Sequence, residues 1–293
     1  MPITIKNPLH FIGLGRSPQY SPNSVSRDSA ILFAVAEQLY LSGHHVQIFH
    51  EDNWPKHTMP HAHIFSMARL PQTLQRLDTI TNVHSCLNLP QGVKLCSARA
   101  ELIDRLAVEG IPQPAYHIID LDKPIPWAEL PTFPLWAKRA EGYSQQSTDV
   151  VFVPEANALE AALEPLRQTG CQHVVLSQHI EGDLIKFYGV ANTPFFHIAY
   201  ATREGSFSKF GWEMQNAKPQ HYTFDERFMS QQLRDFGAHH GVYMFGGDAI
   251  VTANGAWYVI DFNDWPSYAV CREAAAQAIA TLLLDNAYQT PQL

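Results

Sequence analysis

Asp248, Asp261 and Asn263 are the residues whose types and spacing could do chemistry, and all three fall in FGGDAIVTANGAWYVIDFNDWPSY, residues 245–268. Asn254-Gly255 between two β-rich runs is a strong short-range hairpin signal. Pairing AIVT with AWYVIDF puts Asp248, which opens the first strand, beside Asp261 and Asn263, which close the second. Residues 261 and 263 share one strand face because side chains alternate with a period of two. Two carboxylates and an amide oxygen make a hard, oxygen-only site. Magnesium suits it, since that ion takes few protein oxygens and fills its shell with phosphate and water. Any one of the three alone reads as an ordinary strand-end turn residue. Together at one end, behind the apolar YVI, they read as a metal site.

The rest of the chain has to position that site and supply cations to it. At 293 residues and 46% hydrophobic, it can bury a large core in two or three lobes. Residues 9–15 read as a strand, 28–42 as a helix capped by Asp28 or Ser26 and stopped by Gly43, and 44–49 as a second strand. A third strand, 63–69, ends in Arg69, and a helix at 71–81 follows. This β-α-β-β-α-β order describes an open α/β lobe whose ligands sit at the carboxyl ends of the strands. Those ends carry Arg16 and Arg69, the candidates for substrate contact, with Ser24 and Arg27 near the first helix's positive end. Gly13 and Gly15 lack the third glycine of a dinucleotide fingerprint.

Composition excludes several classes. With 28 acidic against 20 basic residues, a net charge of −8, the chain is not built for a nucleic-acid backbone. No apolar run approaches a membrane span and no signal-peptide core is present, so a cytoplasmic protein is expected. The four cysteines form no C-x-x-C pair, which fits a reducing compartment. Of the fifteen histidines, the clustered His44-His45, His61/His63 and His239-His240 lack a Cys or Glu companion at ligand spacing, and the histidines read as structural or surface residues.

Further motifs complete the picture: Asn88-x-Pro90, a helix at 97–109, GIPQP at 110–114, FPLWAKRA at 133–140, and VVLSQHIEGDLIKFYGV at 174–190. With the hairpin they resemble, in order, the ATP-grasp superfamily, over roughly residues 88–284. The likeness is to glutathione synthetase and ribosomal-protein-modification ligases. Asp261 stands where most members have Glu. The inositol trisphosphate kinase branch also has Asp there, followed by an aromatic and Pro, as in Trp265-Pro266.

The resemblance implies an ATP-grasp fold, α/β with α+β in the C-terminal lobes. The spans would be an N-terminal α/β lobe at 1–88, a central lobe at 89–178 and a C-terminal lobe with the metal hairpin at 179–293. It implies ATP with magnesium (manganese as an alternative) on Asp248, Asp261 and Asn263. Arg99 takes the place of the family's usual Lys as first phosphate ligand. It can serve as a planar fork, though the departure leaves that role open. Lys138 and Lys186 would meet phosphates, and Ser144 lies in a flap, 141–148, that would cover them. The connector Gln178, His179 and Ile180 would pair with adenine, and Asp183 would take the ribose. Asp183 and Lys186 cannot share a face of a regular strand, so Asp183 is read as the end of the connector. A strand pair at 195–214 carries His197, Arg203 and Lys209 toward the substrate, with Arg203 and Lys209 nearest the chemistry. Arg272, near Pro266-Ser267, would seat an acidic group.

The implied activity is a ligase that activates a carboxylate as an acyl phosphate and couples it to an amine or thiol. A kinase acting on an inositol-phosphate-like hydroxyl is the alternative, and an ATP-binding protein without turnover the third reading. The expected partner is a small molecule, with no nucleic acid or membrane and with a homodimer left open.

Overall fold

Strand and helix alternate through the first third of the chain, which builds a parallel sheet because each crossover needs a helix's length. The computed structural model describes residues 7–55, 62–80, 85–143, 147–201 and 218–289. In it β1 (His10–Gly15), β2 (His45–His50), β3 (His63–Ser66) and β4 (Cys86–Leu87) run parallel in the order β2-β1-β3-β4. Helix α1 (Val25–Leu41) buries Ile31, Leu32, Val35 and Leu39, a stripe at helical spacing, and Gly43 ends it at φ +87°. Its N-cap is Ser24, without a side-chain cap bond, rather than Ser26 or Asp28, and the Asp28 carboxylate accepts from Arg16 and Ser21. Helix α2 (Pro71–Ile80) covers the other face through Leu74 and Leu77.

The second sheet is antiparallel: β5 (Tyr116–Asp120), β6 (Leu135–Arg139), β7 (Val150–Val153) and β8 (His173–Gln178), in the order β5-β8-β6-β7. Later in the chain than β7, helix α5 (Leu159–Gln168) packs Leu159, Leu163 and Leu166 on Leu135, Ala137, Val174 and Leu176. That leaves Trp136, Lys138 and Ser177 on the opposite face, toward a cleft. A short 3-10 turn, Ala156–Ala158, leads into α5.

The third sheet, also antiparallel, is β9 (Asp183–Val190), β10 (Phe196–Tyr200), β11 (Met244–Val251) and β12 (Trp257–Asp264), in the order β10-β9-β11-β12. One face buries Phe187, Phe245 and Phe262 against α3 (Pro90–Ser97), α4 (Arg99–Val108) and α6 (Glu226–His239). Each such ring contributes about 1.5–3 kcal/mol by leaving water. Asp225 caps α6 by accepting from Phe228 N at 2.9 Å. The Asn88 amide pairs with both backbone groups of Met244, at 2.7 and 2.8 Å, and so ties the start of α3 to the start of β11.

Each sheet lies within one of the three sequence spans, but the helices do not follow those boundaries. Helices α3 and α4 belong to the core of the third sheet, and α7 (Arg272–Gln289) returns to pack with α1 beside the first. Apolar faces decide this, and they find their partners regardless of chain order. Among the described residues no helix is long and apolar enough to cross a membrane.

Candidate active site

The Asn254-Gly255 turn closes the hairpin, with Gly255 at φ +82° and Asn254 Oδ1 accepting from Ala256 N. Asp248 and Asp261 stand directly opposite one another, and the register shifts just after Asp248. Strand β11 begins at Met244, so Asp248 sits inside it rather than opening it, because residues 244–247 pair with β9. The two glycines before Asp248 are required by space. A Cβ on Gly247 would lie 2.1 Å from Asp261 O, and one on Gly246 would lie 2.8 Å from Pro266 Cγ.

Around the acids stand three cations. Lys186 faces Asp248 across β9 and β11, its Nζ 3.1 Å from Oδ1. Arg99, the first residue of α4, brings Nη2 to 3.8 Å from Asp261 Oδ1. Lys138 donates to Ile260 O at 2.9 Å. Burial, and then the Arg99 charge, pull the Lys138 ammonium down to about 8. Asn263 Nδ2 donates to Asp261 Oδ2 at 2.8 Å, so its amide oxygen remains for a cation.

Two carboxylates and one amide oxygen fit a small hard divalent ion that shares its shell with phosphate. Among the described residues no cluster of three His, Cys, Asp or Glu could hold a metal by itself. A divalent ion held at the hairpin end would take its remaining oxygens from a ligand or water. The hairpin end opens on a cleft of about 400 Å³ between the second and third sheets, which reaches the strand ends of the first. Nucleotide and substrate pockets have this size and this placement between lobes.

Gln178, His179 and Ile180 line one end of the cleft, beside Trp136 and Lys138. Trp136 Nε1 donates to His179 Nδ1 at 3.1 Å, and Phe152 packs edge-on against the imidazole. Gln178 N donates to Ala115 O and His179 N to Pro134 O, at 2.8 and 2.9 Å. Of the three connector amides, only that of Ile180 has no partner among the described residues.

Arg16 and Arg69 line the far end, with neither guanidinium idle. Arg16 donates to Met67 O, Asp28 and Trp265 O. Arg69 grips Asp264. The loops that carry them are held by Glu51, 5% exposed, which accepts from Ser17, Arg69 and Leu70 N–H groups.

Four residues read from the sequence do not join the cleft. Asp183 opens β9 instead of closing the connector, so alternation turns it away from Lys186. Its two oxygens accept from Gln220 N (2.7 Å) and Tyr222 N (2.9 Å), which leaves it a loop anchor rather than a ribose ligand. His197 lies on β10 beside Tyr188, and Arg272 starts α7, both off the cleft lining. Arg27 turns back onto Asn23 O and Ser24 Oγ. Ser144, Arg203 and Lys209 lie outside the described residues. The sequence reading passed over Asp264, Tyr143 and Glu51. Only the position of Asp264 next to Asn263 could have flagged any of them.

No family model and no curated protein matches the sequence. Solved structures do match it nearly end to end. One is a RimK domain ATP-grasp protein from Sphaerobacter thermophilus DSM 20745, with TM-score 0.64 and 15% identity over 93% of this chain and 99% of that one. D-alanyl-alanine synthetase A from Vibrio cholerae O1 biovar eltor is similar at TM-score 0.68 and 11% identity, over 97% and 100%. D-alanine–D-alanine ligase from Bacillus anthracis, complexed with ATP, is similar at TM-score 0.66 and 13% identity, over 96% and 98%. Over nearly its whole length the chain has the ATP-grasp fold.

Proposed function

We propose that the chain binds ATP with magnesium in this cleft and acts as a ligase, activating a carboxylate as an acyl phosphate for attack by an amine or thiol. One observation carries the reading. The open end of the hairpin sets Asp248, Asp261 and Asn263 against Lys186, Arg99 and Lys138 in a single cleft between two antiparallel sheets. Acids alone would attract a metal, and cations alone an anion; the mixture suits a metal-bound polyphosphate. Two of the structural neighbours above are named a synthetase and a ligase, the second complexed with ATP, which supports the reading at the level of fold.

Asp248, Asp261 and Asn263 would hold the metal, which would supply positive charge against the phosphates. The chain's own residues do the rest. Lys138 and Lys186 hold phosphate oxygens from two strands, and Arg99 adds a planar fork from a helix start. The Ile180 N–H orients the base against Trp136 and His179. No side chain has to act as nucleophile, so positioning and electrostatics carry the rate. A second reading, phosphorylation of a hydroxyl, is favoured by Asp261 and by Trp265-Pro266, the features shared with the kinase branch.

The test is ATP consumption across amino acids, small carboxylic acids and inositol phosphates, with ADP, free phosphate and acceptor-bound phosphate all measured. ADP and free phosphate that appear only when an acid and an amine are both present establish the ligase. Phosphate retained on a hydroxyl establishes the second reading. A chain that does not bind ATP refutes both.

A further inference from the structure

Asp264 follows Asn263 in the chain but belongs to different surroundings. Its side chain is 1% exposed, and partners from both of the earlier sequence spans converge on it. From the end of β3, Arg69 donates Nε to Oδ2 at 3.1 Å and Nη2 to Oδ1 at 2.8 Å. After β6, Tyr143 shares its hydroxyl proton between Asp264 Oδ1 (3.0 Å) and Val93 O of α3 (2.8 Å). Its ring lies under the Arg69 guanidinium at 3.7 Å. From the end of β1, Arg16 Nη2 stands 3.9 Å from Asp264 Oδ2 and donates to Trp265 O at 2.7 Å.

Both Asp264 oxygens are therefore committed. The residue cannot turn toward a metal without breaking a bidentate pair whose two side chains are 6% and 1% exposed. An uncompensated buried charge is costly, so the pair is a firm joint. Tyr143 is five residues beyond Lys138 in the chain, whereas Asp264 is one residue beyond Asn263. The joint thus ties the strand that carries the phosphate lysine to the strand that carries the metal ligands.

We propose that Asp264 is a positioning residue: through Arg69 and Tyr143 it sets the placement of Asp261 and Asn263 relative to Lys138 and Arg99, so that metal and phosphate meet in register. This rests on the metal–nucleotide reading above. Residues that hold metal ligands without touching the metal change metal affinity by about 10–100-fold when altered.

The experiment measures the ATP dissociation constant in chelator and in saturating Mn2+, for the wild type and for Asp264→Asn, Arg69→Lys and Tyr143→Phe. Thermal melts confirm that each variant folds. The ratio of the two constants is the metal's contribution. Asp264→Asn is expected to cut that ratio by about tenfold or more while the constant in chelator changes little. Arg69→Lys keeps the charge and loses the fork, and Tyr143→Phe keeps the ring and loses the hydroxyl, so both should fall between. If Asp264→Asn does not fold, those two variants decide. A folded set with an unchanged ratio, or with both constants shifted together, overturns the proposal. A wild type whose ATP affinity ignores Mn2+ removes the metal reading itself, and the proposal with it.

Discussion

Lys138 gives the account a pH signature with a definite sign. Its ammonium is part-buried beside Arg99, and burial first, then that charge, lower it to about 8. Bound phosphates favour the charged form, so nucleotide binding takes up a proton wherever Lys138 is neutral in the free protein. Affinity is then full below pH 8 and falls as pH rises through it. A group of pKa about 8 is roughly nine-tenths protonated at pH 7 and about one-tenth at pH 9, so ATP affinity should drop about tenfold between them. The assay is an equilibrium titration of ATP in chelator at half-unit pH steps, which keeps the metal carboxylates out of the measurement. Lys138→Arg, charged throughout, should be flat across the range, and Lys138→Met flat at the weak level. The stability of the unliganded fold should move the opposite way. Between pH 8 and the ordinary lysine value the unfolded chain binds a proton that the folded chain does not, so stability rises with pH. A wild-type profile as flat as Lys138→Arg would refute the reasoning.

Two further variants probe the same cleft. Gly247→Ala forces a methyl against Asp261 O and the Phe187 ring, which should cost about 1–3 kcal/mol in a denaturant melt and weaken metal-dependent ATP binding. Lys186→Met frees Asp248 from a pair of part-exposed side chains, 3.1 Å apart. Mn2+ alone, followed by electron paramagnetic resonance, should then bind up to about fivefold more tightly, while ATP binds more weakly.

The hairpin was legible in the sequence because its information is local: Asn254-Gly255 dictates the turn, and alternation from it places Asp261 and Asn263 on one face. The ATP-grasp fold was legible through motif order, since hydrophobic periodicity alone gives only an α/β chain. What stayed hidden depends on distant partners. Asp264 is one more polar residue at a strand end until Arg69, 195 positions away, is seen to grip it. Arg69 itself was read as open to substrate because nothing near it in the chain reveals a buried acid. Asp183 was given to the connector, whereas its strand begins there and its carboxylate caps backbone at Gln220 and Tyr222. Helix α3, only eight residues long, was missed because its periodic stripe is too short to read.

The most direct test of the central claim is ATP binding to the wild type and to Asp248→Asn and Asp261→Asn, each in chelator and in saturating Mg2+. Mg2+ should tighten wild-type binding, and either substitution should remove the gain while leaving a folded protein. Variants that keep the full Mg2+ gain would contradict that claim.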